Sequence, residues 1–177
     1  MPRGVNVAVV TGTDAEVPEA IFSPDDPVGA LWIKSYQGEV LGEVLFGRLA
    51  DQLDDPDRAG KMRVLCTLER RTKEALAPSL RRAGISTEPD PGTVSAGEAL
   101  ADALASLSWA EVVGSFEAIT TQYLALYARI GELDPSEQEA ADLLMAHEVA
   151  LREFGRREIA GASGSSLDAV TALPHMH

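Results

Sequence analysis

Apolar residues recur at three- and four-residue intervals along most of this chain, and that spacing predicts four long amphipathic helices. The first is expected over about 27–53, stopping at Asp54-Asp-Pro-Asp57. The second is expected from about 59 to 83, with Gly84 as its stop and Pro78 as a possible kink. The third covers about 108–130, and the fourth runs from the turn Gly131-Glu-Leu-Asp-Pro-Ser136 to about 160. Residues 85–97 are rich in Pro, Gly, Ser and Thr and read as a connection leading into a short amphipathic piece at 98–107.

Loop lengths then carry topology. The first and last connections are short, so each predicts an antiparallel helix pair, whereas the middle one, about 20 residues long, can cross a bundle from end to end. The expected fold is all-α, two helical hairpins joined by a long crossover, with the bundle over 28–160. Residues 5–12 are β-branched and end at a glycine, but no G-x-G-x-x-G follows them. With no partner strand in the pattern, 1–27 is expected to be an extended N-terminal arm. Residues 161–177 are expected to be a C-terminal tail with room for one further helical turn.

Composition narrows the function classes. The 177 residues suit one domain, and a formal charge of −13 argues against nucleic acid or an anionic membrane as partner. One cysteine, Cys66, excludes an intramolecular disulfide. No apolar run approaches the roughly 18 residues of a membrane span, and no signal-peptide core opens the chain. A cytoplasmic protein is expected.

The chemistry lies in the glutamates. On helical wheels Glu43 falls with Trp32, Tyr36 and Val40, with Glu39 at the edge of the same arc. Glu69 falls with Leu65, Leu68, Thr72 and Leu76; Glu117 with Val113 and Leu124; Glu148 with Leu144, Leu151 and Gly155. His147 lands on the inner arc as well. An unpartnered buried carboxylate is costly, so one such acid on each of four helices suggests a site. Cys66 reads as core filler, and the terminal His175-Met-His177 as a tail that holds no site.

Glu39-Val-Leu-Gly-Glu43, Leu68-Glu-Arg-Arg-Thr72, Phe116-Glu117 and His147-Glu148 with Phe154 and Glu158 resemble the ferritin-like superfamily of rubrerythrin-type and di-iron carboxylate proteins. The resemblance covers about 30–160 and implies a ferritin-like four-helix bundle. It implies Glu43, Glu69, Glu117 and Glu148 as metal ligands, and a homodimer. The family pattern also has a histidine three residues after two of the glutamates, where i and i+3 share a face. Here those positions are Thr72 and Leu151. His147 lies about 100° around the helix from Glu148 and is not expected to replace either. The leading expectation is therefore a degenerate di-iron site without a cofactor. It would bind or act on a small organic molecule by acid–base chemistry, with His147, Glu148 and Glu69 as catalytic groups. The alternatives are an Fe- or Mn-dependent oxidase or hydroxylase with altered ligands, and a non-catalytic helical scaffold.

Overall fold

The computed structural model describes residues 21–177; the expected strand at 5–12 and most of the expected arm lie outside them. The described residues are helical and contain no strand. The four expected long helices are present, as α1 (Val28–Gln52), α2 (Pro56–Arg82), α5 (Phe116–Leu133) and α6 (Gln138–Ile159). Between α2 and α5 lie α3 (Pro91–Leu104) and α4 (Trp109–Gly114), and α7 (Asp168–Thr171) follows α6.

Local chemistry sets these ends. The Asp55 side chain accepts from the Asp57 and Arg58 amides at 2.9 and 3.2 Å, with Pro56 in the first turn, where its missing N–H costs nothing. Gly84, at φ 71°, closes the same helix, and the Ile85 amide reaches back to the Leu80 carbonyl at 2.9 Å. Pro78 does not end α2. A turn precedes α1, with the Asp26 amide on the Ser23 carbonyl at 3.0 Å.

Two elements differ from expectation. The expected connection at 85–97 holds the first half of α3, whose Asp90 side chain caps the Thr93 amide at 2.8 Å ahead of Pro91. Close approach explains where α3 sits: a Cβ on Gly97 would stand 2.9 Å from the Leu41 carbonyl of α1. The third expected helix is divided at Gly114-Ser115, where the Ser115 hydroxyl donates to the Val112 carbonyl at 2.7 Å.

Helices α1 and α2 pack together, as do α5 and α6, and contacts of α1 with α5 and of α2 with α6 join the two pairs. The apolar core falls into two clusters. One gathers Leu45, Leu49, Leu65, Leu68, Phe116 and Phe154; the other Leu31, Trp32, Leu76, Leu80, Leu126, Ile130 and Leu144. Along α2 and α6 the residues between these clusters are polar and buried: Glu69 and Thr72 on one, His147 and Glu148 on the other. The fold thus carries a polar layer across its waist.

The tail is part of this body. Val170 and Leu173 are buried in the first cluster, and α7 packs on α6. At the same end Lys61, 6% exposed at its side chain, binds Glu158 at 2.8 Å and Asp57 at 2.7 Å. The Trp109 indole donates to the other Glu158 oxygen at 2.8 Å. No helix of the described residues is long and apolar enough to cross a membrane.

Candidate functional site

The polar layer is built from Glu39 of α1, Glu69 and Thr72 of α2, and His147 and Glu148 of α6, all nearly inaccessible to solvent. The two ring nitrogens of His147 have different partners. Nδ1 lies 2.8 Å from the Thr72 hydroxyl and 3.4 Å from Glu39 Oε2, and Nε2 lies 3.4 Å from Glu69 Oε1. The Tyr127 hydroxyl of α5 donates to Glu39 Oε1 at 3.2 Å. Glu69 lies close enough to help raise Glu39, after burial, because two neighbouring carboxylates cannot both ionise cheaply. Gly42 makes room for this pair, because a Cβ there would fall 2.5 Å from the Glu69 carboxyl carbon.

Burial dominates the electrostatics. It pushes the Glu39 and Glu148 carboxyls well above the usual carboxylate range and raises Glu69 to about 8. Burial also depresses His147, against the pull of the Glu39 carboxylate. The Tyr123 and Tyr127 phenols are raised too, by burial first and by the nearby acids second. Burial thus favours the uncharged form of each acid and of the histidine in the layer. Glu39 Oε2 and Glu148 Oε2 are buried and find no hydrogen-bond partner.

A cavity of about 80 Å³ opens onto this layer. Glu39, Glu69, Glu148, Tyr123 and Tyr127 form its polar end. Apart from Thr120, the remaining wall is apolar and comes from α1, α3, α5 and α6, including Leu45, Leu100, Leu104, Phe116, Ile119 and Leu151.

Of the residues expected from the sequence, Glu69, His147 and Glu148 meet here. Glu43 does not: it is half-buried and forms an ion pair with Lys73 of α2, which draws it off the bundle axis. Glu39, one turn earlier, takes the inward place. Glu117 does not face inward either. Its side chain is 52% exposed, and Arg156 holds it through two hydrogen bonds of 3.0 Å that lower its pKa. The expected ligand set Glu43, Glu69, Glu117 and Glu148 is therefore not assembled, and the described geometry does not fit a di-iron centre of that pattern.

The two histidine positions of the expected pattern behave differently. Leu151 lines the cavity, while Thr72 binds His147. His147 and Glu148 converge despite their 100° separation: one ligand atom each from Glu39, His147 and Glu148 lie within 4.8 Å of one another. The inner arc of α6 is wide enough for both side chains to reach Glu39. His175, in the tail expected to hold no site, places its Nε2 3.2 Å from the Thr72 hydroxyl. The signal available was apolar: Val170 and Leu173 precede it at helical spacing. Cys66 is partly buried against the first cluster, as a filler would be. No family model, no curated protein and no solved structure matches this chain.

Proposed function

We propose that this chain is a ferritin-like bundle whose two-metal ligand set has been altered, and that its waist binds, or acts on, a small uncharged organic molecule. Two hairpins joined by a long connection, with acids meeting at mid-height, support the ferritin-like part. The observation that carries the functional part is the cavity of about 80 Å³ ending on Glu39, Glu69 and Glu148. An apolar pocket with a few convergent polar groups of perturbed pKa is the usual form of a small-molecule site.

The chemistry of the wall defines the ligand class. At roughly 10–15 Å³ per water-sized occupant, the cavity suits a ligand of about five to eight non-hydrogen atoms. Burial favours the neutral, hydrogen-bond-donating form of Glu39 and Glu148, which suits an amide, ketone or alcohol head group better than an anion. Glu69, with its pKa near 8, can give or take a proton at neutral pH. That makes it our candidate for proton transfer in a reaction, with His147 Nε2 3.4 Å from one of its oxygens. Arrangement as a homodimer belongs to the same ferritin-like reading and is tested by mass in solution.

The direct test is a fragment screen by thermal shift in the presence of a chelator. Short amides, ketones and alcohols with compact apolar tails are expected to raise the melting temperature of the wild type. They should leave Ile119→Trp, which fills the cavity, unchanged. Absence of any stabilising fragment, or equal stabilisation of the filled variant, would refute the assignment.

A further inference from the structure

Three of the side chains in the waist suggest a second occupant. The geometry points to a mononuclear metal site, in which Glu39 of α1 and His147 and Glu148 of α6 hold one divalent first-row transition ion.

Three observations carry this assignment. The first is spacing: the three ligand atoms lie within 4.8 Å of one another. Ligands bonded to one ion at about 2.0–2.2 Å stand roughly 3–4 Å apart, so the set closes on an ion by side-chain adjustments of less than about 1 Å. The second is the unsatisfied oxygen. Glu148 Oε2 is buried without any partner, in a residue 4% exposed. Groups of that kind are rare because each costs the full desolvation of its acceptor, and a cation supplies the missing partner. The third is support around the imidazole. Thr72 and Glu69 each stand beside a different ring nitrogen, so whichever nitrogen ligates, the other is held and the ring orientation fixed.

The donor set selects the ion. Two carboxylates with one imidazole suit Mn, Fe, Co or Zn, whereas Mg and Ca favour oxygen alone. The acids expected around a second ion are engaged elsewhere, Glu43 with Lys73 and Glu117 with Arg156. Three protein ligands leave coordination positions free, as catalytic metal sites do. Glu39 and Glu148 also line the cavity, so an ion held by them would lie beside it. The inference deepens the reading of the waist as a ligand site, since a ligand head group would then meet a Lewis acid there. It rests on that reading only for the ion's use, not for its binding.

The test uses the full chain, stripped with chelator and titrated with Co²⁺ and separately with Mg²⁺, by calorimetry and visible absorption. One equivalent of Co²⁺ is expected, with a spectrum reporting nitrogen ligation, and no comparable Mg²⁺ binding. Glu39→Gln, His147→Gln and Glu148→Gln, each checked for retained helicity, should weaken Co²⁺ at least tenfold. Glu43→Gln and Glu117→Gln should not weaken it. Absence of saturable Co²⁺ binding to the wild type would overturn the proposal. So would a second tight equivalent, unchanged affinity in Glu148→Gln, or loss of binding in His177→Ala. Because the fragment screen is run in chelator, fragment binding without Co²⁺ binding sinks only the metal site. Co²⁺ binding without fragments sinks only the organic ligand.

Discussion

Changing Glu69 to Gln should stabilise this protein, and stabilise it more as the pH rises. A carboxyl with a pKa near 8 in the fold and about 4.3–4.5 when unfolded is protonated in the folded state where the unfolded state is ionised. Its contribution to stability is fully present below about pH 4.5 and is lost as pH rises through 8. At 1.36 kcal/mol per pKa unit, the loss is about 3 kcal/mol at pH 7 and nearly 5 kcal/mol at pH 9. The histidines do not mask it there. His147 and His175 have depressed pKa values, so their contribution is lost only as pH falls below about 6.5. Glu39 and Glu148, raised in the same sense as Glu69, add to the wild-type decline. A glutamine keeps the volume but carries no charge. Allowing about 1 kcal/mol for the weakened hydrogen bonds, Glu69→Gln should gain about 2 kcal/mol at pH 7. It should gain a further 1.4 kcal/mol or so by pH 9. Urea unfolding followed by far-UV circular dichroism, in chelator, at pH 7, 8 and 9 measures both quantities. A variant less stable than wild type at pH 9, or a difference that stays constant from pH 7 to 9, would refute the account of the waist as a layer of protonated acids.

Three further outcomes follow from contacts away from the waist. Gly155→Ala brings a Cβ to 2.8 Å of the Val113 carbonyl; backbone cannot swing aside, so a loss of about 1–3 kcal/mol is expected by thermal melting. Lys61→Ala strands the Glu158 carboxylate and should cost about 2–4 kcal/mol, most of it recovered in Lys61→Met with Glu158→Leu. No recovery in the pair would show that packing rather than charge dominates there. Val170→Ala, at a fully buried position of the tail, should cost about 1–3 kcal/mol; a neutral result in chemical unfolding would mean that the tail is not docked in solution.

The four long helices were legible because each has enough buried positions to impose a 3.6-residue period. The first half of α3 was not, because its Pro, Gly, Ser and Thr content reads as a connection. Yet Asp90-Pro91 is a helix start by the same capping chemistry that begins α2 at Asp55-Pro56. Its place on α1 depends on Gly97 meeting the Leu41 carbonyl, a contact between residues 56 positions apart that no local pattern encodes.

The site was legible to the level of arcs and no further. Glu39 and Glu43 are one turn apart on α1, so a wheel places both near the same face. What separates them is Lys73 of α2, which captures Glu43 and leaves Glu39 to Tyr127 and His147. Arg156 and Arg152 of α6 draw Glu117 outward in the same way. Cations on neighbouring helices thus sort the acids into surface pairs and buried ones, and only the buried ones meet. Those that remain are a burden on the fold. Replacing buried acids by apolar residues of similar size is often neutral or stabilising, and Leu at positions 39, 69 and 148 would join the two apolar clusters into one core. A chain that can pair Glu43 and Glu117 at its surface has no structural need for three more acids at its centre. Their convergence on one cavity, with an oxygen of Glu148 left unpartnered, is why we propose an occupant for the waist, and the Glu69→Gln and Co²⁺ experiments decide whether there is one.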